Sequence, residues 1–97
     1  MKLKIGSTRY TVTHPDVIEP SGITHGRVNY TDKTIQLAQR AGHPLRKLSN
    51  KKRDTAFWHE ATHAILKDMG SRKESDEVFV TALAKRVQQV AEQITYE

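Results

Sequence analysis

Two histidines four residues apart, with a glutamate beside the first, stand in the run His59-Glu60-Ala61-Thr62-His63. An α-helix turns once in about 3.6 residues, so side chains at i and i+4 share one face. Two imidazoles so placed reach one metal ion, while the glutamate stays free to handle a water proton. The pattern points to zinc and to hydrolysis by metal-activated water, with His59 and His63 as ligands and Glu60 as general base. The neighbours Phe57, Trp58, Ala61, Thr62, Ala64 and Ile65 are all uncharged. That places the motif in a dry helix–sheet interface, where electrostatic effects are strong.

Catalytic zinc takes three protein ligands and keeps one position for water. The chain has no cysteine, so the third ligand must be a nitrogen or an oxygen. No further histidine follows in the H-x-x-G-x-x-H spacing. The acids downstream are Asp68, Glu74, Asp76 and Glu77. Asp68 lies too far along the same helix to reach back. Glu77 falls in line with Val80, Ala84, Val87 and Ala91, so its side chain points where an apolar stripe points. A reversal at Gly70-Ser71-Arg72 returns it to the neighbourhood of His63. Glu77 is therefore the expected third ligand. Glu74 and Asp76 are read as acids at the start of a helix, favoured by its dipole, and either is the alternative ligand. The hydrolysis also needs a donor for the developing oxyanion; His25, Tyr30 and His43 are candidates, and their spacing selects none.

The elements that must hold these groups follow from periodicity. Residues 2–5 and 9–13 flank Gly6-Ser7 and read as a hairpin, the second strand rich in β-formers. Residues 14–22 hold two prolines and a glycine and read as loop. A second hairpin pairs residues 26–30 with 34–38 about a polar turn at Thr31-Asp32-Lys33, Ile35 and Leu37 alternating with Thr34 and Gln36. Gly42-His43-Pro44 interrupts the chain. Ser49 then serves as N-cap for a helix over 50–69, closed by Gly70, with Ala56, Phe57, Ala61, Ala64, Ile65 and Met69 as its apolar face. Its basic start opposes the macrodipole. A second helix is predicted over 73–94, its stripe Val80, Leu83, Ala84, Val87, Val90, Ala91 and Ile94. Strands first and helices after give an α+β domain, a small antiparallel sheet of two hairpins packed on two helices.

Ninety-seven residues suit one domain with a small core, residues 1–97, which a bound metal would help to hold. The start Met1-Lys2-Leu3-Lys4-Ile5-Gly6 has no apolar run behind it, and no stretch reaches the roughly 20 apolar residues of a membrane span. With the absent cysteines this gives an expectation of cytoplasmic location. The formal charge is +5, with Arg46-Lys47 and Lys51-Lys52-Arg53 a main source of the excess. No aromatic residues alternate with these charges as stacking platforms would require, so a solvated surface is the plainer reading. The competing function is a non-catalytic module, braced by its metal, that contacts nucleic acid or an acidic partner through residues 46–53.

Three segments also carry a resemblance. Residues 26–37, Gly-Arg-Val-Asn-Tyr-Thr-Asp-Lys-Thr-Ile-Gln-Leu, are the first. Leu48-Ser49 with His59-Glu60-Ala61-Thr62-His63-Ala64-Ile65 are the second, and Asp76-Glu77 with Val80, Leu83-Ala84 and Gln89-Val90 the third. Together they resemble the short HExxH metallopeptidase-like proteins of phages and prophages, distant relatives of the ImmA/IrrE group. The resemblance implies zincin-like architecture, Glu77 as third ligand, and a substrate cleft bordered by the strand 34–38. It also implies peptide-bond hydrolysis in a protein substrate, a regulatory protein among the candidates. The larger group often shows an E-A-N-x-F-A-like run at the third ligand; here Glu77 is followed by Val78-Phe79-Val80.

Overall fold

The computed structural model describes residues 1–94. Strands β1 (Lys2–Ile5) and β2 (Thr8–Thr13) form one hairpin, and β3 (Gly26–Asn29) and β4 (Thr34–Leu37) form the other. The α+β reading holds. The sheet itself is mixed, not wholly antiparallel, because the hairpins join through a parallel pair, Thr11 to Thr34, Val12 to Ile35 and Thr13 to Gln36. The order is β1-β2-β4-β3. The long connection after β2 lets β3 take the outer position, as a parallel pairing requires of its crossover. β4 becomes an interior strand and Ile35 is fully enclosed, while β3 keeps one edge unpaired among the described residues. A second sheet, β5 (Arg40–Ala41) with β6 (Arg46–Lys47), is a two-residue hairpin around the predicted break.

The alternation of β2 and β4 turns Tyr10, Val12, Ile35 and Leu37 to one side, where they meet Ile5, Ala56 and Ala64. Helix α1 spans Asn50–Asp68; Ser49 Oγ accepts from Lys52 N–H, and Gly70 takes φ +68° just past its end. That dihedral favours glycine and ends the helix. Helix α2 spans Glu77–Gln93 and begins later than periodicity predicts. Residues Arg72–Ser75 form a 3₁₀ turn instead, and Asp76 caps α2 by accepting from Phe79 N–H at 3.0 Å. Asp76 is thus spent on the cap.

Helix α1 packs against the sheet and against α2, whereas α2 packs chiefly on α1 and the 3₁₀ turn. Burial on two sides explains why residues 60–64 of α1 are all enclosed, including Glu60, Thr62 and His63. It also corrects the apolar face. Ile65 and Met69 are exposed, Met69 by 70%, while Leu66 is buried. On α2 the enclosed line is Val80, Ala84 and Gln88. Val90 falls on its flank at about 100° per residue and stays exposed, and Ile94 lies past the helix end, in extended backbone, and is exposed as well. Among the described residues no helix is long and apolar enough to cross a membrane.

Candidate metal centre and cleft

His59, Glu60 and His63 lie within one turn of α1 and bring potential metal-binding atoms together. The imidazoles meet edge to face, ring centroids 4.9 Å apart, with Nε2 to Nε2 at 3.2 Å. Glu77, the first residue of α2, closes the group. One carboxylate oxygen lies 3.1 Å from His59 Nε2 and the other 2.8 Å from His63 Nε2. The cap at Asp76 fixes where α2 starts and so where Glu77 stands. Glu77 is 66% exposed against 10% for His63, which puts the carboxylate at the mouth of the site and the imidazole at its floor.

The environment of His63 tests whether these groups suit a cation. Its Nδ1 faces the Glu74 backbone carbonyl at 2.8 Å, and a carbonyl only accepts, so Nδ1 carries the hydrogen. In the neutral ring Nε2 is then a bare lone pair. It points at a Glu77 carboxylate oxygen at 2.8 Å, two acceptors with no hydrogen between them, and at the His59 Nε2, which carries a hydrogen in one of its two neutral tautomers. A cation resolves that arrangement. Zinc–nitrogen bonds of about 2.0–2.1 Å in a tetrahedron set ligand atoms about 3.3 Å apart; the two Nε2 atoms stand 3.2 Å apart, and each lies nearer than that to a different oxygen of the Glu77 carboxylate, at 3.1 and 2.8 Å. Two imidazoles and a carboxylate also form a recurrent zinc donor set.

Glu74 does more than a dipole partner would. Its carbonyl orients His63, and its carboxylate accepts from the Tyr30 hydroxyl at 2.7 Å. Burial, and then that hydrogen bond, hold the Tyr30 phenol well above its ordinary range, so it remains a donor. Lys67 Nζ stands 5.1 Å from the Tyr30 ring centroid. The sequence reading missed this role of Glu74. Tyr30 lies forty-four positions away, so no local periodicity links the two; the polar turn before β4, closed by Asp32 N–H on Asn29 Oδ1 at 2.9 Å, is the one local sign of where Tyr30 points.

Glu60 is buried, and burial raises its pKa; the nearby His59 and His63 lower it and Glu77 raises it, with burial the largest effect. Its stem rests against β3. A methyl group at Gly26 would sit 3.1 Å from Glu60 Cγ and 3.3 Å from Ala56 Cβ, so a bare glycine lets the helix approach the strand this closely. Asp68, set aside as a ligand, lies at the far end of α1 beside Gly6.

A cleft of about 690 Å³ opens over the group. One wall is α1 from Lys51 to His63, the other begins at His25 and Gly26, and Glu77 stands at the end. The cleft borders β3, not the strand 34–38, because the parallel pairing buries β4 inside the sheet. Ala38 N–H donates to His25 carbonyl at 2.9 Å, so the alternating ladder turns the backbone groups of Gly26 and Val28 away from β4, to the open edge. Of the three oxyanion candidates His25 lines the cleft, Tyr30 is committed to Glu74, and His43 is exposed in the β5–β6 turn. The basic segment does not form one surface. Lys51 and Lys52 line the cleft, Arg53 meets His14 Nδ1 at 2.6 Å, and Arg46 and Lys47 lie exposed on β6. No protein-family model, curated protein or solved structure matches the chain.

Proposed function

We propose that this chain is a zinc-dependent hydrolase of peptide bonds, with His59, His63 and Glu77 as the ligands and Glu60 as general base. The observation that carries the reading is the convergence of three lone-pair donors within about 3 Å of one another, beside a buried carboxylate, in an open cleft. When bound, zinc supplies Lewis acidity, which makes a water nucleophilic near neutral pH and draws charge from a carbonyl. Glu60 takes the proton of the attacking water and returns it to the leaving amine. Its raised pKa makes it a stronger base for the first transfer and a carrier that holds the proton until the second. His25 offers a ring N–H to charge developing on the carbonyl oxygen. The open edge at Gly26 and Val28 favours an extended peptide as substrate, since a strand laid there gains backbone hydrogen bonds.

The resemblance to HExxH metallopeptidase-like proteins points the same way. The alternative, a metal-braced binding module, loses support from the division of the basic segment and from Glu60, a buried carboxylate that ligation by the other three residues does not require.

Glu60→Gln separates the two readings. The variant keeps the hydrogen-bonding shape but not the base, so hydrolysis of an unfolded protein substrate falls about 10²–10⁴-fold while bound zinc per chain, measured by atomic emission, stays level. An unchanged cleavage rate would overturn the role given to Glu60; a wild-type chain that purifies and refolds without zinc would overturn the site.

A further inference from the structure

The first turn of α1 places Lys51, Lys52 and Arg53 where the helix dipole is already positive, and that turn contains no acid. Like charge there opposes the helix. Arg53 has a local partner in His14. Lys51 and Lys52 have no ionic partner among the described residues, and both line the cleft. Apart from Glu60 and Glu77, which belong to the metal centre, the lining of the cleft holds no acid. Lys52, Ala56, His59 and His63 follow one another at helical spacing along the same wall. Lys52 precedes His59 by seven residues, about 10 Å along the axis at 1.5 Å each. An extended peptide covers that distance in about three residues.

We infer that Lys51 and Lys52 form a subsite for a carboxylate carried about two to four residues from the bond held at His59 and His63, so that acidic peptides are the substrate class. The inference rests on the hydrolase reading of the same cleft. Lysine suits such a subsite because its ammonium is a compact charge on a flexible stem and follows a carboxylate whose position varies from one peptide to the next. The carboxylate comes from an aspartate or glutamate side chain or from a free chain terminus, and the chemistry of recognition is the same for both.

Fluorescence anisotropy on the zinc-loaded Glu60→Gln chain, which holds a peptide without cutting it, tests this. The probes are a labelled serine–glycine–alanine peptide with a pair of glutamates and an amidated end, its glutamine counterpart, and the glutamine peptide with a free carboxylate. The glutamate peptide is expected to bind about three- to tenfold tighter than the amidated glutamine peptide at low salt, the range two partly exposed ion pairs supply. The free-carboxylate arm shows whether a chain terminus serves as well. Adding Lys51→Glu and Lys52→Glu abolishes or inverts the preference; this change removes charge that opposes the dipole, so the helix gains stability. Equal binding of the glutamate and amidated glutamine peptides, or a preference that survives the charge reversal, overturns the inference. So does a single-stranded oligonucleotide that binds tighter than the glutamate peptide. Cleavage of both amidated peptides at one rate by the wild-type chain overturns it and leaves the hydrolase reading intact. Charge-selective binding without cleavage does the reverse, leaving Lys51 and Lys52 as a carboxylate-binding site.

Discussion

Each ring nitrogen of His63 has a fixed partner, and the two partners make opposite demands. The Glu74 carbonyl requires a hydrogen on Nδ1, while the Glu77 carboxylate at Nε2 leaves that lone pair facing an acceptor. Orientation of the ring therefore comes from the turn that presents Glu74, and Tyr30 ties that turn to the sheet. Outer partners of this kind set ligand tautomer and metal affinity. Tyr30→Phe removes the hydroxyl and keeps the ring beside Lys67. It is expected to cost about 1–2 kcal/mol of stability, as a hydrogen bond to a carboxylate does, and to weaken zinc binding roughly tenfold in chelator competition. A variant that loses stability but holds zinc as tightly as the parent would reduce Tyr30 to a packing role. Residue types alone could not have shown this. The motif His59–His63 was legible because its spacing is its signal, and Glu77 because its position on a stripe is; the partnership of Tyr30 with Glu74 exists only once β3 and the 3₁₀ turn are brought together.

At the scale of elements, the placement of Glu77 depends on where α2 begins. Periodicity carries the helix back to Lys73, since the residues before Asp76 are not poor helix formers. The chain instead makes a 3₁₀ turn and starts α2 at an Asp76 cap. That restart puts Glu77 in the first turn, its carboxylate favoured by the dipole even before a cation is present. Asp76→Ala is expected to cost about 1 kcal/mol and to fray the first turn. Because the frayed residue is the proposed third ligand, zinc affinity should fall as well, whereas Asp76→Asn restores both. Circular dichroism melts with and without chelator read the two effects separately. An Asp76→Ala chain that melts earlier but binds zinc normally would detach Glu77 from the site. The start and end of α1 were plain in Ser49 and Gly70, since capping is local chemistry. The parallel pairing of β2 with β4 was not: two hairpins are each specified by their own turns, but their joining edge is decided by which strand the helix covers. The exposure of Ile65 and Met69 has the same origin, an apolar pattern that does not say where the partner surface ends.

Across the whole molecule, the candidate metal centre lies between α1 and α2, the interface on which the attachment of α2 depends. Helix α2 does not form a substantial contact with the sheet; it is held through α1 and the 3₁₀ turn. The line it buries is short, Val80, Ala84 and Gln88, and one of these is polar, with its Nε2 unpartnered among the described residues. A small core of this kind leaves modest stability. The proposed ligand set, with two members on α1 and one on α2, crosses the seam between the two helices, and a cation that binds the folded chain alone stabilises it by mass action. At a free zinc concentration a hundred times the dissociation constant the gain is about 2.7 kcal/mol, which for a domain of this size raises the melting temperature by roughly 10–20 °C. Zinc titrated into chelator-treated protein in a thermal-shift assay should show this rise. The midpoint should climb with the logarithm of the metal concentration. Glu77→Gln should lower the shift more than it lowers the metal-free melting temperature, since Glu77 is largely exposed and contributes to the seam through the cation. A melting temperature indifferent to zinc would mean that α2 is held on α1 by its packing, Val80 and Ala84 at its centre, and not through a cation.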